Sequence, residues 1–282
     1  MINMNKQFDG KTIRDRSLKQ IADKNAAASR PPHLAVILAG DNPVCAKYVE
    51  LKKKSAIRAG ITFSDYQFDN THSQQEIIEC IQHLNDDEEI DGIMIQIPVD
   101  LKFDRDELIK SISPKKDVDG LRYCLGLDSD FKPPVVEAIL EALRLASLAQ
   151  GKTSKDSKVV LVGSGFLVGK PLEKALREIG VSPVVISTGA EKSSDTRKIS
   201  RQARDDMKNS DIIITATGQS DLIKPDMIKE GVVLIDAGTT EANGCLVGDI
   251  DPKCYEKSSY YTPVPGGIGP VTIAKLFENL TK

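Results

Sequence analysis

The chain has 282 residues, of which 40% are hydrophobic and 28% are charged, and its formal net charge is −3. This length favours two domains, the composition is typical of a globular protein, and the small negative charge argues against nucleic-acid binding. Five cysteines without a CxxC pair predict free thiols in a reducing cytoplasm. No apolar run approaches ~18 residues and the first residues contain no signal-like segment, so we expect a cytoplasmic protein without a membrane partner.

Histidine is scarce, which narrows the possible chemistry. The three histidines, His33, His72 and His83, have no Cys, His or carboxylate neighbour at the spacing of metal ligands. The sequence also lacks a GxSxG nucleophile elbow. We therefore expect no metal site and no Ser-His-Asp hydrolysis.

The first part of the chain alternates strand and helix patterns. The apolar run 33–40 predicts a buried strand, and Asn42 before a proline predicts the start of the next helix. Residues 61–68 form a second strand pattern, Ser73 begins a capping box that opens another helix, and 91–99 is a third strand pattern. Strand–helix–strand order with short connections predicts a parallel sheet.

A long helical pattern separates this part from the next. Pro133 and Pro134 can begin this helix but could not lie inside it. Gly151 ends it, and the polar segment 152–158 marks the junction of two units that the helix bridges. Apolar residues recur at helical spacing along it: Val136, Ile139, Leu140, Leu143 and Ala146.

The second unit begins with a glycine-rich turn between a strand and a helix. Gly163 and Gly165 lack a Cβ, so with Ser164 between them the backbone can turn tightly against a pyrophosphate, and Gly169 opens a helix whose N-terminus favours anions. The spacing is GxGxxxG and not GxGxxG, so a glycine turn that binds nothing is the alternative. The other strand patterns of this unit are 181–187, 211–218 and 232–238.

The end of the next strand bears on the choice of dinucleotide. Enzymes that bind NAD usually place a carboxylate there to hold the ribose 2′-hydroxyl. Here the strand is followed by Ser187 and Thr188, whose hydroxyls would not repel a 2′-phosphate, and Lys192 or Arg197 can supply positive charge. NADP is therefore favoured over NAD, although Glu191 weakens the inference.

Two groups of polar residues in the first unit are candidates for chemistry. Tyr48 and Lys52 share one face of a helix, with Cys45 one turn earlier. The alternative, which the spacing alone favours, is that Lys52 belongs to a solvated basic run and Tyr48 caps a core. Gln96 interrupts an apolar strand, where a buried amide needs partners, and it is either a satisfied core residue or part of a ligand site. Asp119 either caps a turn or binds a heterocycle rich in hydrogen-bond donors.

Near the end of the chain, the segment 263–270 contains three prolines and three glycines. This composition makes a backbone that is stiff and bare of side chains. It is either a wall for a flat ligand or a rigid lead-in to the last helix.

Taken together, these segments resemble the bifunctional methylenetetrahydrofolate dehydrogenase/methenyltetrahydrofolate cyclohydrolase family, the FolD family. The matching pieces keep their order over nearly the whole chain. They are YVELK (48–52), DGIMIQIP (91–98), PKKDVDG (114–120), VGSGFLVGKP (162–171), the run 216–238, VGDID (247–251) and TPVPGGIGPVT (262–272).

The resemblance implies a two-domain α/β fold. An N-terminal three-layer α/β domain with a mainly parallel sheet would bind folate, a Rossmann-type domain would bind the dinucleotide, and a cleft would lie between them. The folate domain would comprise 1–132 plus 263–282, and the Rossmann domain 133–262.

The resemblance also implies roles for individual residues. Lys52 would be the catalytic lysine, Tyr48 an aromatic platform beside it, Gln96 a modulator of Lys52, and Asp119 the group that grips the pterin. The substrate site would further include Ile95, Ile97, Pro265, Gly266 and Gly267. The dinucleotide site would include Gly163, Ser164, Gly165, Gly169, Ser187, Thr188 and, near the nicotinamide, Thr239.

The implied reaction belongs to one-carbon metabolism and needs no metal. A hydride leaves the methylene carbon of 5,10-methylenetetrahydrofolate for NADP, and water then opens the methenyl product to 10-formyltetrahydrofolate. A partly desolvated lysine has a lowered pKa and can move protons near neutral pH. The resemblance further implies a homodimer.

Several segments depart from the family pattern. Cys45 replaces a common serine, 133–136 replaces a PCTP segment, 163–165 reads GSG, and the stretch between Ile186 and Asp211 is longer than usual. Two other functions therefore stay open. One is a single-activity relative or a dehydrogenase of another small substrate, such as a shikimate-type hydroxy acid. The other is a catalytically silent protein that binds folate or NADP.

Overall fold

The computed structural model describes residues 6–187, 199–242 and 244–282. The chain divides into two compact units: unit 1 comprises Met1–Ile13 and Val135–Thr272, and unit 2 comprises Arg14–Pro134 and Ile273–Lys282. Among the described residues, no helix combines the length and the apolar character needed to cross a bilayer.

Both units contain α-helices and β-strands. The helices in the described part of the chain are α1 (Gly10–Ala26), α2 (Pro43–Arg58), α3 (Gln74–Asp86), α4 (Arg105–Ser111), α5 (Leu121–Cys124), α6 (Pro134–Gln150), α7 (Gly169–Glu178), α8 (Arg201–Lys208), α9 (Cys254–Lys257) and α10 (Ile268–Leu280). The strands are β1 (His33–Ala39), β2 (Thr62–Phe68), β3 (Gly92–Ile95), β4 (Val159–Val162), β5 (Val184–Ile186), β6 (Ile212–Thr215), β7 (Val233–Asp236), β8 (Thr240–Ala242), β9 (Cys245–Val247) and β10 (Tyr260–Tyr261).

Unit 2 contains a parallel sheet with the strand order β2-β1-β3. Strand β1 is apolar and almost wholly buried. Asn42 caps α2 as predicted, because the side-chain oxygen of Asn42 accepts from the N–H of Val44 at 2.9 Å. The chain passes from β1 to β2 on one side of it and then crosses to β3 on the other side, so the strand order changes direction at β1. Ligand sites form at such a switch point, beyond the carboxyl ends of the strands.

Unit 1 contains five parallel strands in the order β10-β7-β6-β4-β5. Alternate residues of these strands pack on opposite faces. Leu161 and Ile214 lie in a cluster with α6 and α7, whereas Val160 and Ile213 lie in a cluster with α8. The order reverses between β4 and β6, which is the doubly wound arrangement predicted for a dinucleotide-binding unit. The predicted apolar face of the long helix packs in the first of these clusters.

Some predicted boundaries differ from the observed ones. The strand predicted over 91–99 ends at Ile95. The N–H of Gln96 still donates to the carbonyl of Ile37 at 2.9 Å, but Pro98 has no N–H with which to continue the ladder. The strand predicted over 181–187 is only Val184–Ile186.

The compact units also differ from the predicted division into 1–132 with 263–282 and 133–262, because residues 1–13 and 263–272 belong to unit 1. Phe8 N–H donates to the Tyr261 carbonyl at 2.9 Å, and Gly10 N–H donates to the Gly266 carbonyl at 3.1 Å. The first bond joins residues that the prediction assigned to different domains, and the second joins two segments of the predicted folate domain, both of which lie in unit 1. Which residues form each functional domain stays a prediction.

Candidate active site

The structure brings Lys52 and Gln96 into direct contact. Lys52 Nζ donates to Gln96 Oε1 at 2.9 Å, and Gln96 Nε2 donates to the carbonyl of Ile97 at 2.8 Å. The second bond fixes which way the amide faces, because a reversed amide would set its NH₂ against the ammonium. Gln96 is only 8% exposed, so its amide is a fixed acceptor for the lysine.

The three lysines of the run 52–54 have different surroundings. Lys53 pairs with Asp65 at 2.8 Å and Lys54 is exposed, whereas Lys52 is half-buried. Burial lowers the pKa of Lys52, and the nearby Asp119 and Cys45 offset part of that effect. Lys52 is therefore not part of a uniformly solvated basic run.

Two further residues of α2 lie on the N-terminal side of Lys52. Tyr48 is 43% exposed, so it does not cap a core. Cys45 is buried, its Sγ lies 3.5 Å from the carbonyl oxygen of Pro98, and burial raises the pKa of its thiol. Next to Gln96, Ile95 is fully buried and Ile97 is partly exposed.

Asp119 lies in a loop whose shape is set by its neighbours. Burial raises the pKa of Asp119, and the positive charge of Lys52 opposes that effect. Gly120 has φ +64°, and a Cβ there would lie 2.5 Å from the nitrogen of Pro133, so the turn requires glycine. The loop thus presents a carboxylate to the electrostatic field of Lys52.

A second carboxylate holds this loop in place and was missed by the sequence analysis. Asp117 is fully buried and accepts from the N–H groups of Leu121 at 3.0 Å and Arg122 at 2.8 Å, and from the Ser129 hydroxyl at 3.2 Å. Burial, the largest cause, raises its pKa to about 7. The signal was present in KDVDG, which contains two aspartates, but a sequence does not show which of them is buried.

The glycine-rich turn between β4 and α7 fits a dinucleotide phosphate. Gly163 has φ +111°, and a Cβ there would lie 2.5 Å from the carbonyl oxygen of Ala216; a Cβ on Gly169 would lie 2.4 Å from the Gly163 oxygen. A Cβ on Gly165 would meet no atom within 4 Å. Two glycines therefore close the turn, and the third leaves one side of it open, next to the N-terminus of α7.

Of the remaining predicted dinucleotide residues, Ser187 is bonded to the turn. Ser164 and Ser187 are joined through their hydroxyl oxygens at 3.1 Å. Thr239 is exposed and follows β7. Thr188, together with Lys192, Arg197 and Glu191 that bear on NADP selectivity, lies outside the described residues.

The proline-glycine segment leads directly into a helix, because α10 begins at Ile268. Gly266 has φ +107°, and a Cβ on Gly267 would lie 2.5 Å from the Pro263 carbonyl oxygen. The predicted lead-in is thus present, while a role for Pro265, Gly266 and Gly267 in binding folate stays a prediction. Within residues 6–187, 199–242 and 244–282, no group of three or more His, Cys, Asp or Glu side chains is placed to hold a metal ion.

Comparison with known families gives two matches that together span most of the chain. Residues 8–119 match the catalytic domain of tetrahydrofolate dehydrogenase/cyclohydrolase. Residues 137–282 match the NAD(P)-binding domain of the same family.

Individual relatives match over nearly their full length. The bifunctional protein FolD of Aquifex aeolicus is 37% identical over 288 residues, which cover 98% of this chain and 94% of the relative. The crystal structure of the bifunctional enzyme FolD from Campylobacter jejuni superposes with a TM-score of 0.86 at 32% identity, covering 97% of this chain and 96% of that one. The Trypanosoma brucei FolD structure, a complex with NADP cofactor and inhibitor, has a TM-score of 0.84 at 27% identity, covering 97% and 95%.

Proposed function

Because the chain belongs to the tetrahydrofolate dehydrogenase/cyclohydrolase family, we propose that it oxidises 5,10-methylenetetrahydrofolate with NADP. It then hydrolyses the 5,10-methenyl product to 10-formyltetrahydrofolate. The observation that carries the proposal is the half-buried Lys52, hydrogen-bonded to Gln96 and in the field of Asp119. The protein is thus an enzyme of one-carbon metabolism.

Lys52 is suited to the proton transfers of the hydrolytic step. Water that adds to the cationic methenyl carbon must lose a proton, and a neutral lysine amine can accept it. The resulting ammonium can give that proton to the ring nitrogen as the carbon–nitrogen bond breaks, and the hydroxyl of the adduct releases its remaining proton to water as it becomes the formyl carbonyl. An ordinary lysine is almost fully protonated at neutral pH, so the lowered pKa of Lys52 is what makes the neutral amine available. Gln96 Oε1 holds the amine in place in both states.

Asp119 and Tyr48 are suited to holding the substrate. The amino group and ring N–H of a pterin form a donor pair that a carboxylate can accept through two oxygens. Tyr48 keeps its ring exposed on the same helix as Lys52, where a flat ligand can lie against it. Ile97 and the segment Pro265 to Gly267 are the other proposed contacts, with Ile95 contributing through its backbone, since its side chain is fully buried.

NADP supplies the hydride acceptor of the first step. Gly163, Gly165 and the N-terminus of α7 would hold its pyrophosphate, and Ser164 and Ser187 its adenosine ribose. Ser187 follows β5 at the position where NAD enzymes carry a carboxylate, which favours a 2′-phosphate. Thr239 is the proposed neighbour of the nicotinamide.

We also propose that the enzyme is a cytoplasmic homodimer. The support for both properties is the family resemblance. Sedimentation equilibrium of the purified chain measures the oligomeric state, and a monomer at micromolar concentration would contradict the dimer.

The proposed function is tested with the purified wild-type protein. We expect reduction of NADP with 5,10-methylenetetrahydrofolate, slower or absent reduction of NAD, and hydrolysis of 5,10-methenyltetrahydrofolate. Oxidation of a shikimate-type hydroxy acid with no turnover of folate would identify a different dehydrogenase. Binding of folate without conversion of either folate substrate would identify a silent binding protein.

A further inference from the structure

Unit 1 contains two buried carboxylates that the proposed chemistry does not use. Asp236 ends β7 and is 1% exposed, and Asp249, in the segment VGDID, is 0% exposed. Burial and the neighbouring Asp249 raise the pKa of Asp236 to about 7, so the two acids are close enough to repel. Burying two like charges together is costly, and the hydrogen bonds they accept indicate what offsets that cost.

Asp249 holds the loop that follows β6. Its two oxygens accept from separate backbone donors, the N–H of Thr217 at 2.6 Å and the N–H of Gln219 at 2.9 Å. A Cβ on Gly238 would lie 2.0 Å from Asp249 Oδ1, so the carboxylate lies flat on the backbone of that glycine. Asp249 therefore holds both ends of the loop 217–219, and the Thr240 hydroxyl donates to the Gly218 carbonyl oxygen between them at 2.6 Å.

Asp236 joins the same region to the segment that begins at Thr262. Its Oδ1 accepts from the Thr215 hydroxyl at 3.1 Å and from Gly238 N–H at 3.0 Å, and its Oδ2 accepts from Ile250 N–H at 2.9 Å. Its own N–H donates to the hydroxyl of Thr262 at 2.7 Å. Thr262 is fully buried and directly precedes the proline-glycine segment.

These contacts place the acid pair between two ligand-binding segments of unit 1. On one side, the loop that Asp249 holds continues from Ala216, whose carbonyl oxygen packs against Gly163 of the glycine-rich turn. On the other side, Thr262 leads to Gly266 and Gly267. The N–H of Gln219 is shared between Asp249 and the Thr217 hydroxyl, whose oxygen lies 3.1 Å away.

We propose that Asp236 and Asp249 are positioning residues that hold the loop 217–219 and the segment 262–267 in their binding conformations. Loss of the Asp249 carboxylate then weakens NADP binding, and loss of the Asp236 carboxylate weakens both NADP and folate binding. The proposal rests on the proposed function, which assigns the glycine-rich turn beside this loop to NADP and Pro265, Gly266 and Gly267 to folate. An asparagine is nearly isosteric but must present an NH₂ group to one of the backbone N–H donors, so the loop has to move.

The experiment measures binding by isothermal titration calorimetry, with NADP⁺ and tetrahydrofolate as the probes. We expect Asp249→Asn to weaken NADP⁺ by at least about tenfold, and Asp236→Asn to weaken both probes by a similar factor. The matched control is Asp211→Asn, because Asp211 accepts from Lys158 N–H at 2.9 Å and pairs with Lys229 at 2.8 Å at the opposite end of β6. The control should lose thermal stability while keeping both affinities within about twofold.

A milder variant covers the case in which an acid variant does not fold. Thr262→Val keeps the volume of the side chain and removes only the hydroxyl, which accepts from Asp236 N–H at 2.7 Å and donates to the Asp236 carbonyl oxygen at 3.4 Å. We expect weaker tetrahydrofolate binding, with NADP⁺ affinity within about twofold of wild type.

Three outcomes would overturn the proposal. They are unchanged affinities in folded Asp249→Asn, an equal loss of affinity in Asp211→Asn, and Thr262→Val binding both probes as wild type does. A wild-type protein that bound neither probe would instead refute the proposed function, and this inference with it.

Discussion

At the scale of single residues, the behaviour of Lys52 is set by two opposing effects. Burial removes water from the ammonium and lowers its pKa, and the negative field of Asp119 raises it again. Burial is the larger effect, so the pKa of Lys52 lies below that of an ordinary lysine, and the field of Asp119 limits how far it falls. The amine can then serve both as base and as acid. Asp119 therefore has an electrostatic effect on Lys52 in addition to its proposed role in holding the pterin.

Removing the charge of Asp119 should shift the pH dependence of hydrolysis. In Asp119→Asn the field that raises the pKa of Lys52 is lost, so the amine becomes neutral at lower pH. The measurement is kcat for hydrolysis of methenyltetrahydrofolate as a function of pH. We expect its acidic limb to move to lower pH and the KM for methenyltetrahydrofolate to rise. An unchanged limb would mean that Lys52 is not the titrating group. The control is Asp130→Asn, which removes the charge of an exposed carboxylate on the C-terminal side of α5.

The sequence was sufficient to select Lys52, Gln96 and Asp119 as candidates, but it did not show whether each side chain is buried or which groups lie next to it. Their partners are 44 or more positions apart, and whether a lysine is solvated depends on those distant neighbours. For the same reason the buried Asp117, Asp236 and Asp249 were missed, because an aspartate in a motif looks the same whether it is solvated or buried.

At the scale of elements, the sequence was sufficient to predict a helix or strand where the residues that define the element lie within it or directly beside it. Strand β1, the cap at Asn42 and the long helix α6 were predictable from apolar periodicity and capping chemistry. The ends of β3 and β5 were not, because a strand ends where its neighbours stop pairing with it.

Two glycines of the turn before α7 should behave differently when replaced by alanine. Gly163→Ala puts a Cβ at 2.5 Å from the Ala216 oxygen at a φ that alanine disfavours, so we expect a loss of stability of about 1–3 kcal/mol. Gly165→Ala meets no protein atom, so its stability should stay within about 0.5 kcal/mol. Its added methyl instead occupies the open side of the turn, and we expect NADP⁺ affinity to fall about tenfold.

Urea unfolding and calorimetric titration of both variants provide the two measurements. If Gly165→Ala bound NADP⁺ as tightly as wild type, the phosphates would not lie against the turn.

At the scale of the whole molecule, each unit contains a buried carboxyl whose pKa is raised from 3.8 to about 7, Asp117 in unit 2 and Asp236 in unit 1. The folded protein binds these protons more tightly than the unfolded chain does. The stability they contribute is therefore fully present below about pH 4 and is lost as the pH rises through about 7. Carboxyls whose pKa is lowered, such as Asp69 with a pKa of about 2, have the opposite effect: the stability they contribute is lost only as the pH falls below about 4.

The free energy of unfolding should consequently fall between about pH 4 and about pH 7, by roughly 1 to 4 kcal/mol for each of the two carboxyls. Asp117→Asn has no such proton to lose, so its unfolding profile should be flatter over the same range. Urea denaturation across this range provides the measurement. A wild-type profile that rises throughout the range would contradict the raised pKa values.

The division of the chain into units was predictable only in part. The compact units meet at Pro134 and Val135, whereas the residue pattern marked the polar segment 152–158, which lies inside unit 1, as the junction. The membership of residues 1–13 depends on bonds from Phe8 and Gly10 to residues near the other end of the chain. Pairing between distant segments leaves no local pattern.

The most direct test of the account compares Lys52→Ala with Lys54→Ala. Both remove a lysine from α2, but Lys54 is exposed whereas Lys52 donates to Gln96. We predict that Lys52→Ala abolishes hydrolysis of 5,10-methenyltetrahydrofolate while it still binds NADP⁺, and that Lys54→Ala hydrolyses at the wild-type rate. Hydrolysis by Lys52→Ala at the wild-type rate would contradict the role assigned to this lysine.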